Sequence, residues 1–153
     1  MLRRRVWLTF ALALAAPAQK YDGPRPPKPD VPYLKHGDSL IATEAVEEKK
    51  KDDTNYTVDG AASPAKTPLA EPIFLMQAGS LFPTHLQLFK FEVKNGHREL
   101  AYPGKKQPQA IRIVVTRLSP EGIWKIEVDE SLEPGEYLLN PDGTSKAFCF
   151  QVF

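Results

Sequence analysis

Phe89-Lys90-Phe91-Glu92-Val93-Lys94-Asn95-Gly96-His97-Arg98-Glu99-Leu100 alternates apolar and polar residues up to one Asn-Gly pair, then turns back on itself. Asn-Gly supplies the two positive-φ positions of a tight hairpin turn, the strongest short-range β signal in the chain. Just upstream, Leu86-Gln87-Leu88 alternates in the opposite phase, which predicts a bulge near Leu88 or Phe89. Arg98 to Tyr102 is the expected return strand.

Four more strands are predicted downstream at short spacing. Ala110 to Leu118 is β-branched and apolar, with Ile111, Ile113 and Val115 on one face. Trp124, Ile126 and Val128 share a face while Lys125 and Glu127 take the other. Turns at Pro134-Gly135 and Asp142-Gly143 introduce Glu136 to Leu139 and Ala147 to Phe153, with Phe148, Phe150 and Val152 directed at the core. Ile73-Phe74-Leu75-Met76 is a further short apolar run.

Residues 39–51 admit two readings. Ser39-Leu40-Ile41-Ala42-Thr43-Glu44-Ala45-Val46 can alternate as a strand whose charged end is a hairpin tip, returning through Tyr56-Thr57-Val58 to a turn at Asp59-Gly60. With Glu47 to Lys51 they also make a helix carrying i,i+4 charge pairs. The strand is preferred. The expected fold is therefore all-β: a single Ig-like β-sandwich of about seven to nine short antiparallel strands over residues 36–153. A membrane barrel is set aside because few segments reach the roughly 9–11 residues such strands need.

Leu132-Glu133-Pro134-Gly135-Glu136-Tyr137-Leu138-Leu139 resembles the L-x-P-G-x-Y-x-L corner of secreted Ig-like and prealbumin-like sandwich domains. The resemblance implies that Pro134-Gly135 makes a tight corner, that the Tyr137 ring packs inside, and that its hydroxyl bonds to backbone. It also implies a binding or spacing role. The disulfide and buried-tryptophan pattern of those domains is absent as such, with Trp124 the candidate core tryptophan.

Residues 19–35 hold Pro24, Pro26, Pro27, Pro29 and Pro32 among charged residues. Proline fixes φ and removes donors, so an extended Pro-rich tether is expected. Ahead of it, Arg3-Arg4-Arg5, the apolar run Val6 to Ala16 and Ala16-Pro17-Ala18 make a removable signal peptide over residues 1–18, cleaved after Ala18. The run is about eleven residues, short of the roughly 20 that span a bilayer. The expected location is periplasmic or secreted, with no span left after cleavage. The short arginine-rich start points to a bacterial export route.

Cleavage leaves 17 basic and 19 acidic residues, a formal charge of −2. That balance gives no footprint for nucleic acid or anionic lipid. The single cysteine, Cys149, lies in an apolar run and reads as a buried, inert thiol.

Candidate chemistry is sparse. Gly37-Asp38-Ser39-Leu40 spells the signature of the GDSL serine esterases, but no aspartate has a histidine three residues on and no buried strand precedes the serine. His36, His85 and His97 lack metal-ligand spacing, and Asp53 to Gly60 lacks the glycine and closing glutamate of a calcium loop. No catalytic residue, cofactor or metal is expected. The candidate surface-binding aromatics are Tyr21, Tyr33, Tyr56 and Tyr102.

The functional expectation is a non-enzymatic binding or structural accessory module whose partner is a protein or polysaccharide of the cell envelope. A small serine hydrolase using Ser39 and a carbohydrate-binding module are the alternatives. Intact-mass measurement on protein from the native host should give a chain starting at Gln19; a membrane-embedded species retaining Met1 would refute the signal.

Overall fold

A computed structural model describes residues 20–102 and 108–153. The signal-peptide expectation over residues 1–18 lies outside the described residues. Among those described, the chain is all-β, with fourteen strands, one short 3-10 turn at Pro83–His85, and no helix long and apolar enough to cross a membrane.

The strands form three sheets. The first has the order β11 (Ile113–Arg117), β12 (Ile123–Val128), β7 (Ile73–Gln77), β1 (Tyr33–His36), β2 (Ser39–Ala42). The second runs β3 (Glu44–Glu47), β14 (Lys146–Val152), β13 (Gly135–Pro141), β8 (Leu86–Lys90), with β6 (Lys66–Thr67) parallel to β14. The third is β4 (Lys49–Lys50), β5 (Asn55–Asp59), β10 (His97–Ala101), β9 (Glu92–Lys94). The sandwich expectation holds, with more strands than the seven to nine anticipated.

The second sheet is buried on both faces. Tyr137, Leu139, Phe148, Phe150 and Val152 meet Leu34, Phe74, Met76, Ile126 and Val128 of the first sheet. The alternate residues Leu138, Ala147 and Cys149, with Phe89 and Phe91, meet Val58 and Leu100 of the third. Strand residues alternate faces, so two cores require apolar residues at nearly every position of β13 and β14.

The same geometry accounts for the phase change at Leu88 and Phe89. β8 keeps an unbroken register against β13, from Leu86↔Pro141 to Lys90↔Tyr137. There is no bulge. Leu86 and Leu88 fill one core while Phe89 and Phe91 fill the other, and the chain crosses at Phe91 into the third sheet as β9. Asn95 (φ 52°) and Gly96 (φ 77°) then make the expected hairpin turn into β10.

Residues 39–50 are strand, not helix, because each part finds a distant partner. β2 pairs with β1, β3 with β14 and β4 with β5, so one segment edges all three sheets. It bends at Thr43, whose N–H and hydroxyl both donate to Pro32 O, at 3.1 and 2.7 Å. Its charged residues suit an edge, where they discourage pairing with other chains.

The Pro-rich segment is docked. Asp30 N–H donates to Gln77 O at 2.8 Å, and the Asp30 carboxylate accepts from Gly79, Ser80 and Leu81 N–H and from the Ser80 hydroxyl, at 2.7–3.0 Å. Burial alone would raise the Asp30 pKa, but these donors hold it below its ordinary value. They also offset a positive φ of 62°, which costs a non-glycine residue about 1–3 kcal/mol. β1 begins at Tyr33, inside the stretch expected as tether, and Leu34 is wholly buried.

The Pro-Gly corner has the expected form. Tyr137 is buried, stacks on Phe150 with ring centroids 5.6 Å apart, and donates its hydroxyl to Glu133 O at 2.7 Å. Trp124 shares the face of Ile126 and Val128 but lies at the core's end, half-buried, with the Arg117 guanidinium 5.9 Å from its ring. It is therefore not the core tryptophan; Phe74 and Phe150, 5.0 Å apart edge to face, hold that position.

One ion pair joins the second and third sheets. Arg98, on β10 and 1% exposed, donates to both Glu44 oxygens on β3 at 2.5 and 3.3 Å, to Gly60 O at 3.0 Å and to Asp59 O at 2.7 Å. Burial opposes its charge, yet Glu44 holds its pKa above the ordinary value. Glu44→Ala should lower stability in urea by about 3 kcal/mol, because it strands a buried charge. Replacing Arg98 and Glu44 together with Met and Leu should restore most of it. A Glu44→Ala protein as stable as wild type would show that the pair does not couple the sheets.

Candidate functional site

Two of the four candidate tyrosines come together. Tyr56 on β5 and Tyr102, which follows β10, have ring centroids 5.2 Å apart at 63°. The arrangement follows from pairing: Tyr56 sits opposite Leu100, and Tyr102 N–H donates to Thr54 O at 2.6 Å. Both rings wall a cleft of about 450 Å³ at the end of the second and third sheets. Tyr33 is buried in β1, and Tyr21 bonds its hydroxyl to Pro24 O at 2.7 Å in the docked arm, away from the cleft.

The cleft floor comes from the second sheet. Gln87 and Phe89 on β8 and Asn140 on β13 contribute, and the turn Asp142-Gly143-Thr144-Ser145 forms one rim. Asn140 Nδ2 donates to Thr144 O at 3.0 Å and Lys146 O at 2.6 Å. Two carbonyl partners settle which end of that amide is nitrogen, and Asn140 Oδ1 receives no hydrogen bond from a described residue.

Glu48 completes the cleft. It stands between β3 and β4, where the edge segment crosses from the second sheet to the third, and its N–H donates to Ser145 O at 2.7 Å. Only 8% of the residue is exposed, and among the described residues Oε1 has no hydrogen-bond partner. Burial, with a smaller contribution from the neighbouring Glu47 charge, pushes its pKa up to about 7. Tyr102 is also raised, by burial first and then by the Glu48 charge.

Sequence reasoning missed Glu48, Gln87, Asn140 and Asp142. A glutamate in a run of Glu and Lys carries no sign of burial, and the asparagine lies inside an apolar strand. Only the positive-φ turn signal at Asp142-Gly143 marked the rim.

The other candidates lie elsewhere. Ser39 is exposed and opens β2 across the Gly37-Asp38 turn from His36, whose Nε2 is engaged with Thr67 Oγ1 at 2.8 Å. His85 tilts against Phe82 with centroids 5.4 Å apart, and His97 Nε2 lies 4.0 Å from Glu99 Oε2. Asn55–Asp59 is a strand, and the Asp52 carboxylate is taken by Thr54 and Asn55, bonds that lower its pKa to about 2. Among the described residues no group of three or more His, Cys, Asp or Glu could hold a metal ion. Cys149 is fully buried, and desolvation pushes its thiol up to about 12.

No protein-family model matches the chain, and neither the curated proteins nor the solved structures give a match.

Glu48 makes stability depend on pH. Its folded pKa of about 7 lies above the ordinary 4.5, so the folded state holds the extra proton between those values. Stability therefore falls as pH rises through that window and levels off above it, by an amount on the order of 3 kcal/mol. Glu48→Gln should lack this component and be the more stable protein at pH 8. Parallel urea-stability profiles for the two proteins from pH 4.5 to 8 would show that Glu48 is solvated.

Proposed function

We propose that this chain is an exported, non-enzymatic β-sandwich that serves as a binding accessory module in the bacterial periplasm or outside the cell, and that the Tyr56–Tyr102 cleft holds its ligand. The observation that carries this reading is the cleft itself. It places two aromatic rings beside acceptors that no described protein group claims, on strands fixed by two cores. Concave sites with aromatic walls and a few convergent polar groups are the usual form of a recognition site.

The export part rests on Arg3-Arg4-Arg5, the apolar run to Ala16 and the Ala16-Pro17-Ala18 pattern. The partner is a protein or polysaccharide of the envelope. The carbohydrate-binding alternative draws on the same rings, because flat aromatic faces stack on sugars. The hydrolase alternative has less to stand on, since Ser39 lies on an exposed hairpin with its neighbouring histidine committed to Thr67.

The test is heteronuclear NMR of the labelled protein against fractionated envelope extract. Signals of Tyr56, Tyr102 and Asn140 should shift in wild type, and those of Tyr56 and Asn140 should stay in place in a folded Tyr102→Ser variant. Shifts confined to another face, or none, would overturn the assignment. Ser39→Ala should leave ester hydrolysis at the wild-type level, and a wild-type activity abolished by that change would restore the hydrolase reading.

A further inference from the structure

The cleft has one chemical bias. Its described lining carries the carboxyl groups of Glu48, Asp53 and Asp142 and no lysine, arginine or histidine. Asp53 is highly exposed and already met by Lys50 Nζ at 3.5 Å, and Asp142 lies on an exposed turn. Glu48 is different. It is more than nine-tenths buried, it lines the cleft, and its Oε1 lacks a donor among the described residues. Buried carboxyl groups are ordinarily hydrogen-bonded or ion-paired.

Resting on the reading of this cleft as the ligand site, we propose that it takes a primary alkylammonium group, the end of a lysine side chain or of a small free amine. An ammonium brings three N–H donors and a positive charge to a place that offers the Glu48 carboxylate, the unclaimed Asn140 Oδ1 and two tyrosine rings. A cation within about 6 Å of an aromatic centroid is held by the ring quadrupole, most strongly where water is excluded. The compact ammonium suits a carboxyl this deeply buried, whereas a planar guanidinium needs the whole fork.

The proton on Glu48 is then a competitor. The titratable groups facing it are Glu47 beside it at the end of β3, Tyr102 in the cleft wall and Cys149 across the core, with Asp53 in the lining and Asp142 near Tyr102 on the rim. All are acids, so none supplies the charge that a bound ammonium would. Ammonium binds the carboxylate and the proton leaves to solvent. With a pKa of about 7, affinity should weaken about tenfold per pH unit below neutrality, and about a hundredfold between pH 8 and pH 5.

The experiment is NMR titration of the full chain with n-butylammonium and with its neutral isostere n-butanol, at pH 8 and pH 5. n-Butylammonium should shift Tyr56 and Tyr102 at pH 8 and n-butanol should not. Glu48→Gln should weaken n-butylammonium at least tenfold and remove the pH dependence. That variant keeps the side-chain shape and removes only the buried charge, so it should fold. A second variant, Tyr102→Leu, should weaken the cation and leave n-butanol unchanged.

Nα-acetyl-lysine amide, which keeps its free ε-ammonium, and 1,5-diaminopentane separate the sources; either one binding supports the ammonium, and the tighter names its origin. Equal binding of n-butanol, or unchanged affinity in Glu48→Gln, overturns the inference. If neutral sugars or envelope extract shift the cleft while every ammonium probe fails, the ammonium falls and the binding module stands. If nothing shifts the cleft, both fall.

Discussion

A sheet with no solvent face is the constraint on which the rest of this structure depends. β13 and β14 lie between two cores, so each residue on them is either apolar or must bring its own partner. Two of the polar exceptions meet that demand in specific ways. Glu136, whose pKa burial raises, accepts from Ser63 N–H at 2.7 Å, and Asn140 gives both amide hydrogens to carbonyls of its own hairpin. Arg98 reaches the same layer from the third sheet and spends its donors on Glu44 and two backbone carbonyls. A buried pair of this kind adds little net stability over apolar packing but penalises any arrangement that separates its halves. It therefore fixes the third sheet's placement on the second.

The edge segment follows from the same layering. Three stacked sheets on one side of the molecule expose three edges, and residues 39–50 cover all of them in turn. At each crossing one residue leaves a strand ladder, and its backbone must find another partner. Thr43 finds Pro32 O and Glu48 finds Ser145 O. The crossing at Glu48 turns its side chain into the seam between the second and third sheets. The buried carboxyl of the cleft is thus a consequence of where the segment changes sheets.

Much of this fold was legible in the chain. Period-2 alternation and the turn residues determined the strands of residues 73–101 and 113–152, because side-chain direction in a strand alternates whatever the sheet packs against. Asn95-Gly96 determined one hairpin, because only such residues take two successive positive φ angles at low cost. The Leu132 to Leu139 corner determined the Tyr137 hydroxyl bond, a contact four residues long. The opposite phases at Leu88 and Phe89 were also legible, but one strand facing two cores and a bulge facing one give the same pattern.

What only the tertiary structure decided are the features that depend on distant partners. Residues 39–51 carry helical charge spacing and strand alternation at once, and pairing with β1, β14 and β5 selects the strand. Pro-rich composition reads as a tether, yet the Asp30 carboxylate locks it to the loop at residues 79–81, contacts about fifty positions away. Tyr33 and Tyr56 look alike in sequence; one is core and the other walls the cleft, because burial depends on which sheet covers the residue. Glu48 sits in a run of charges that by itself reads as solvated. Its ionisation is governed by desolvation, and no local pattern encodes how much water the folded chain leaves around one carboxyl.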